Sequence, residues 1–261
     1  MEDITLRTLK TLRKVDAVYC EDTRHSLILL NRYNIKKPLF SLFEHDEAEK
    51  SLEIIEKLGS GQDIAYISDA GMPGISDPGA KLINLAIKEN LELTVLPGAS
   101  ALITAVVGSG LETDSFLFCG FLPKSVSKRK EYLAEIADCK QTMIFYIAPH
   151  NAAEILGDII AVLGDRKGAL ARELTKKFEQ YVREDLSVIL NKLDSGHIIC
   201  KGEMVLVVSG SHRVSEISDE YIIKMLSDKL HGKCSKKDAV RQISQEFNIS
   251  KNRVYTLSLK L

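Results

Sequence analysis

An α/β fold built on parallel strands is what this 261-residue sequence predicts, on three observations. Short apolar runs alternate with amphipathic helical patterns, the signature of βαβ units. Polar clusters rich in acid, Gly or Ser follow directly on the strand runs. From Glu216 the pattern turns to short helices alone, so a small helical extension is expected.

In order along the chain, Leu6, Leu9 and Leu12 share one face of an opening helix, with Asp3 as its expected N-cap. Val15–Cys20 reads as a strand and runs into Glu21-Asp22-Thr23-Arg24. A helix carrying Leu27, Leu30 and Tyr33 follows, then a strand at Leu39–Leu42. Phe43-Glu44-His45-Asp46-Glu47 leads to a helix over Ala48–Leu58. A buried strand at Ile64–Ile67 opens onto the loop SDAGMPGISDPG (68–79) and a helix with Leu82, Ile83, Leu85 and Ala86. A further strand is expected at Leu91–Leu96, with Pro97-Gly98-Ala99-Ser100 capping a helix over Ala101–Val107.

The composition changes near Glu112–Lys130. Phe116, Phe118 and Phe121 alternate as in a strand, and Leu122-Pro123 with Lys124, Lys128, Arg129 and Lys130 suggest a mobile basic loop. A second α/β unit follows: strand Thr142–Ile147, helix Asn151–Leu163, strand Gly168–Arg172. Glu173–Glu179 starts a further segment, then come a helix over Asp185–Leu193 and an apolar strand at Met204–Ser209. The expected domains are 1–113, 114–212 and a helical 213–261.

Composition narrows the function. A 45% hydrophobic content is ample for a packed core, and a net charge of −1 exerts no global pull toward nucleic acid or membrane. Cys20, Cys119, Cys139, Cys200 and Cys234 are odd in number and lack CxxC spacing. They predict reduced thiols in a cytoplasm, with neither a disulfide frame nor a metal site. The uncharged stretch Leu93–Leu111 is interrupted by Pro97, Gly98, Gly108 and Gly110, so no membrane span is expected.

Loops that follow parallel strands emerge on one edge of the sheet, where open α/β sheets place ligands. Four polar clusters meet that description: Glu21–Arg24, 44–47, Ser68–Asp77 and Pro97–Ser100. Gly lets a ligand approach the main chain, and Asp69 and Asp77 are the charges of their loop. The same residues also make ordinary solvated turns. In the tail, Lys229, Lys233, Lys236, Lys237, Arg241, Lys251, Arg253 and Lys260 stand against Asp238 and Glu246. Short helices around Asn248-Ile249-Ser250 fit either a helix-turn-helix-like nucleic-acid binder or a helical appendage with a solvated face.

Taken together, the strings DITLRTL (3–9), EDTR (21–24), EHDE (44–47), SDAGMPGISDPG (68–79), PGASA (97–101), GFLP (120–123), ARELTKKFE (171–179) and KKDAVRQIS (236–244) carry a resemblance. The chain resembles the tetrapyrrole-methylase superfamily and, within it, the bacterial ribosomal RNA small-subunit methyltransferase I family, nearly end to end. The resemblance implies a mostly parallel N-terminal sheet and a mixed second sheet, with S-adenosylmethionine in the cleft between them. It implies methylation of a cytidine ribose 2′-oxygen in small-subunit ribosomal RNA, or in the 30S subunit, and, as a prior, a homodimer. It places Asp69, Gly71, Met72, Ser100, Ala101, Tyr146 and Ala171 at the cofactor. Glu21, Asp22, Arg24, Glu44, His45 and Asp77 fall on the substrate side, and Arg172, Glu173 and Lys176 position RNA or brace the cleft.

The sequence departs from the family pattern in three places. The family has a strand and a Gly-rich loop before the DITLR helix, and here Met1 stands at the helix. The expectation is either an internal start or a site lacking part of its cofactor contacts. The family's ESPHR is Ile147-Ala148-Pro149-His150-Asn151, without the carboxylate and the arginine, and its HEHN is Phe43-Glu44-His45-Asp46. A ribose hydroxyl is a far weaker acid than any side-chain base, so proton removal accompanies methyl transfer. The candidate bases are His45, Asp22, Glu44 and Asp77. Two rival readings remain open at this level: a tetrapyrrole methylase acting on a small molecule, and a catalytically impaired RNA-binding remnant.

Overall fold

A computed structural model describes residues 1–43, 45–211, 219–231, 234–247 and 249–261. It contains two compact units, Met1–Gly210 and Ser211–Leu261. Glu44 and Asn248 lie outside the described residues.

The first unit begins with α1 (Leu6–Lys14), β1 (Ala17–Cys20), α2 (Thr23–Arg32), β2 (Leu39–Ser41), α3 (Glu47–Gly59), β3 (Ile64–Ile67) and α4 (Ala80–Lys88). The N-cap of α1 is Thr5, whose hydroxyl accepts from the Thr8 amide, and not Asp3: a hydroxyl placed three residues before an amide closes the cap. The strands form a parallel sheet in the order β2-β1-β3, with Tyr19 beside Phe40 on one flank and Tyr66 on the other. All four residues of β1 are buried, as expected of a central parallel strand covered on both faces. Alternation divides them. Val18 packs with Leu9, Leu12 and Leu30 on one face, and Ala17 and Tyr19 with Ile54 and Leu82 on the other.

Leu91–Leu96, expected as a strand, forms none. A strand exists only through a neighbour's hydrogen bonds. β3 is the edge of its sheet, and Leu93 and Val95 stand exposed rather than paired.

The chain continues through α5 (Ala101–Ser109), β4 (Phe116–Phe121), α6 (Val126–Glu135), β5 (Thr142–Ile147), a short 3₁₀ turn (Pro149–Asn151), α7 (Ala152–Leu163), β6 (Lys167–Arg172), β7 (Gln180–Asp185), α8 (Leu186–Asp194) and β8 (Met204–Val208). Their order is β4-β5-β8-β6-β7, with β4 and β5 parallel and the other neighbours antiparallel: a mixed sheet. Leu133, Ile155, Ile159, Leu186 and Ile189 cover one face, and Ala105 and Val106 of α5 cover the other. So α5, which follows the first sheet in sequence, packs on the second. There the Tyr181 hydroxyl donates to the Thr104 carbonyl at 3.0 Å and Arg183 to the Gly108 carbonyl at 2.7 Å.

The basic run expected to form a mobile loop is instead largely α6. Arg129 is 1% exposed and ion-paired to Glu154 and Asp158 of α7, because a guanidinium buried between two helices needs carboxylates around it. β7 is a strand that the sequence reading lacked. Among the described residues, no helix is long and apolar enough to cross a membrane.

The second unit holds α9 (Asp219–His231), α10 (Lys236–Glu246) and α11 (Lys251–Ser258) around a core of Ile222, Leu226, Ile243, Val254 and Leu257. Ser235 and Ser250 cap α10 and α11 through their side chains.

One buried carboxylate ties the first unit's helices to its longest Gly-rich loop. Glu47, 4% exposed at the head of α3, accepts the Gly79 and Lys81 amides at 2.9 Å each. Substitution Glu47→Ala orphans the buried Gly79 donor, at a cost of about 1–3 kcal/mol. Thermal unfolding of Glu47→Ala against Glu47→Gln checks this, with the glutamine variant, which retains an acceptor oxygen, expected to lose less.

Candidate functional site

The loop after β3 is shaped by backbone conformations that few residues tolerate. Gly71, Gly74 and Gly79 have φ of 74°, 80° and 119°, and Ser76 joins them at 60°. A Cβ on Gly79 would stand 2.5 Å from the Tyr66 ring, so that glycine is required twice, by conformation and by space. The Tyr66 hydroxyl donates to the Pro78 carbonyl at 2.9 Å, and the Gly74 amide to the same carbonyl at 3.0 Å. With Glu47 on the Gly79 amide, the end of the loop is pinned and its acidic side chains are held in place.

The loop after β1 meets it. Asp22 caps α2 by accepting the Arg24 amide at 2.8 Å and grips the Arg24 guanidinium, with Nη2 to Oδ2 at 2.6 Å. Those contacts hold the Asp22 carboxyl far below the usual carboxylate range. A carboxylate so strongly committed is a poor proton acceptor. Asp69 joins the two loops: its Oδ1 accepts the Asp22 amide at 3.2 Å and its Oδ2 lies 3.0 Å from His25 Nδ1. That hydrogen bond and the charge of Asp69 raise the His25 pKa above its ordinary value.

Asp77 is different. It is half-buried, and burial, then the charges of Glu21 and Asp69, push its pKa up to about 6, with the Ser68 hydroxyl acting in the opposite direction. Three carboxylates from two loops, Glu21, Asp69 and Asp77, therefore share one neighbourhood.

The second sheet closes this neighbourhood. Burial, and then the charge of Asp77, raise the Tyr146 phenol on β5, while the Leu102 amide of α5 acts against them. The Tyr146 ring meets Phe118 and Phe121 edge-on at 5.0 and 5.4 Å. Gly120 sits at a register shift in β4 with φ of 61°, and a Cβ there would lie 3.6 Å from Ser76 Oγ. A Cβ on Gly98 would lie 3.8 Å from Met72 Sδ, so the PGAS segment faces the SDAGMPG turn. Ser100 precedes α5 without a side-chain cap, leaving first-turn amides available to an anionic group.

Of the residues singled out from sequence, Glu21, Asp69, Asp77 and Tyr146 thus come together, with Met72, Gly71, Ser100 and Ala101 on the adjoining turn and helix start. Others stand apart or are spent on structure. His45 is exposed, stacked on Phe43 at 5.4 Å, and bonds to none of the three carboxylates among the described residues. Ala171 is fully buried in the core under α5, on a strand paired on both sides with β7 and β8. Arg172, 8% exposed, donates to the Lys201 and Phe178 carbonyls and so braces the loop that follows it.

That loop carries strain, with Glu173 at φ 49° and Thr175 at φ 60°, the latter an outlier for a β-branched residue. Glu173 accepts the Glu203 amide at 3.0 Å, and Lys176 is held 3.2 Å from both Glu173 and Glu203. Burial works against the Lys176 charge, yet these two partners raise its pKa. Of the departures from the family pattern, Ile147 is part of the second sheet's core and Asn151 opens α7. Among the described residues, no group of His, Cys, Asp and Glu is arranged to hold a metal ion.

His25 and Glu203 escaped the sequence reading, and Glu47 entered it only as a member of the 44–47 cluster. His25 and Glu47 adjoin or belong to quoted strings, and Asp69 lies 44 residues from His25, so proximity to a motif was the available signal.

Comparison with known proteins adds a family. Residues 1–189 match the model of the tetrapyrrole (corrin/porphyrin) methylases. Ribosomal RNA small subunit methyltransferase I of Haemophilus influenzae is 40% identical, over 99% of this chain and 92% of its own. The protein of that name from Halalkalibacterium halodurans is 37% identical over 98% and 90%. Among solved structures, a diphthine synthase aligns with TM-score 0.59 at 18% identity, over 80% of this chain and 85% of its own. A cobalt precorrin-4 methyltransferase aligns with TM-score 0.58 at 18% identity, over 79% and 89%. At such identity the structures establish the fold.

The Asp69–His25 contact is directly measurable. Imidazole NMR titration should give His25 a pKa above its ordinary value of about 6.5, and Asp69→Asn should bring it back down.

Proposed function

The chain belongs to the ribosomal RNA small subunit methyltransferase I family of the tetrapyrrole methylases, and from that premise we propose an S-adenosylmethionine-dependent enzyme that methylates the ribose 2′-hydroxyl of a cytidine in small-subunit ribosomal RNA. The observation that carries the reading is Asp77: a half-buried carboxyl with a pKa of about 6, where two acidic loops of the first sheet approach the second sheet. A small-molecule tetrapyrrole substrate is the weaker reading. The full-length relatives are named for ribosomal RNA, while the cobalamin-pathway structure is similar at the level of fold.

The residues fit the donor. S-adenosylmethionine supplies, when bound, an electrophilic methyl group on a cationic sulfur. Glu21 and Asp69 give the site the negative potential that suits a cation, and the uncapped start of α5 suits a carboxylate. Gly71 and Gly98 offer main chain with little side-chain cover, Met72 Sδ lying beside Gly98, and Tyr146 with Phe121 offers an aromatic wall.

The acceptor hydroxyl must be held in line and relieved of its proton. Positioning alone can supply about 7–11 kcal/mol of a barrier. Asp77 is the base: its raised pKa brings proton affinity closer to the operating pH, whereas Asp22 is committed to Arg24. Arg24 and Lys176 are ion-paired to Asp22 and to Glu173 and Glu203, and offer their charge to RNA phosphates on exchanging those partners. The reading includes a cytoplasmic setting, in keeping with five free cysteines. It also includes self-association through apolar surface such as Ile103 and Val107 of α5, 46% and 69% exposed.

Below about pH 6 Asp77 is protonated and cannot accept a proton, so kcat/KM should fall as pH drops through that value. Asp77→Asn should lower the rate by about 10²–10⁴-fold and abolish that limb, with donor affinity by calorimetry within a few-fold of wild type. Methylation of 30S subunits, read by mass spectrometry of 16S nucleosides, is the assay. No ribose methylation by the wild-type chain, with no saturable donor binding, would favour the impaired-remnant reading.

A further inference from the structure

In the Ser211–Leu261 unit, the N-terminal halves of α10 and α11 line a half-open hollow of about 470 Å³, walled by Lys236, Lys237, Arg241, Lys251, Val240 and Tyr255, with Asp238 the one acidic residue on its wall among the described residues. We propose that this basic, aromatic-walled cavity is a second RNA-contact site, which grips the sugar-phosphate backbone of a single-stranded segment and stacks one base on Tyr255. The proposal rests on the ribosomal RNA reading above and adds to it a place where substrate is held outside the catalytic cluster.

Three observations support it. First, residues 211–261 contain ten Lys and Arg against six Asp and Glu, a surplus of four in a chain of net charge −1. Second, that surplus is not spent on internal pairs at this wall. Lys229 pairs with Glu246 and Arg253 with Asp219, whereas Lys236, Lys237 and Lys251 are exposed and pair with no carboxylate among the described residues. Asp238 is held by Arg241 at 3.1 Å and accepts from the Ser235 hydroxyl at 2.6 Å, which moderates its charge toward a phosphate. Third, Tyr255 is 54% exposed although its helix neighbours Val254 and Leu257 are buried in the core. An exposed aromatic ring among unpaired lysines matches how single strands are bound without regard to sequence, by stacking plus backbone charge.

The cavity floor is pre-organised. Val240 of its wall belongs to the packed core with Ala239, Ile243 and Val254, and the Ser244 hydroxyl ties α10 to the Ile249 carbonyl at 2.7 Å. A volume of this size falls in the range of small-ligand sites, about 300–1,000 Å³, so it can admit a nucleotide unit. A negatively charged protein segment would satisfy the lysines but would not by itself require the exposed ring.

The test uses the full chain with substitutions Lys236→Glu, Lys237→Glu and Lys251→Glu combined, and separately Tyr255→Ala and Tyr255→Phe. Steady-state methylation of 30S subunits should show KM raised at least about tenfold in the triple variant, with kcat and donor affinity unchanged. The slope of log affinity against log salt for a labelled single-stranded RNA should become shallower by about 2, three contacts at about 0.7 each. Tyr255→Ala should weaken that RNA about tenfold, with Tyr255→Phe close to wild type. Should the charge reversal impair folding, the Lys→Gln triple variant gives the same readouts.

Unchanged KM and salt slope, in a preparation whose wild type methylates 30S subunits, would overturn the proposal alone. A loss confined to binding of an acidic peptide of matched charge would overturn it in favour of a protein partner. A wild type that binds the RNA through this wall yet methylates nothing would leave the cavity assignment standing and count against the catalytic reading.

Discussion

The candidate site depends on how one loop is kept in a shape that its sequence alone would not hold. Residues 68–79 turn through three left-handed glycines, and the loop stays there because Glu47 takes the Gly79 amide while Tyr66 takes the Pro78 carbonyl. Both anchors are side chains of regular elements, α3 and β3, buried or partly buried. Rigid elements thus fix a segment made mostly of main chain. Its two aspartates inherit that fixity: Asp69 turns toward the α2 start, and Asp77 toward the second sheet.

From this geometry follows a division of labour among acids that look alike in sequence. Asp22 has a guanidinium and a helix-start amide, and its proton affinity collapses. Asp69 has an amide and an imidazole, and serves as a strut between loops. Asp77 has partial burial and two carboxylate neighbours, and its pKa rises to about 6. Environment drives Asp22 and Asp77 in opposite directions, the general way in which one fold assigns different tasks to carboxylates at neutral pH. The strained Glu173–Lys176 turn is organised in a similar way, with Glu203 supplying both a backbone donor and a side-chain partner.

What the sequence revealed and what it hid have physical reasons. The βαβ alternation, the Gly-rich loop after Ile64–Ile67 and the short tail helices are local patterns, and periodicity with Gly positions is enough to read them. Leu91–Leu96 has the apolar content of a strand but no neighbour to pair with. The polar strand Gln180–Asp185 is a strand only because β6 lies beside it. Arg129 reads as part of a solvated basic run until α7 brings Glu154 and Asp158 against it. His25 and Glu47 matter through partners more than thirty residues away, at Asp69 and Gly79. Among the candidate bases, Asp77 stands out only when its burial and neighbours are known.

Hydrogen–deuterium exchange on the full chain, with and without saturating S-adenosylmethionine, tests the central claim most directly. The account predicts slowed exchange confined to amides of residues 68–79 and the first turn of α5, with the Glu47→Ala variant losing that protection in the 68–79 loop. Saturable donor binding that leaves those amides unchanged, and slows exchange in some other part of the chain, would contradict it.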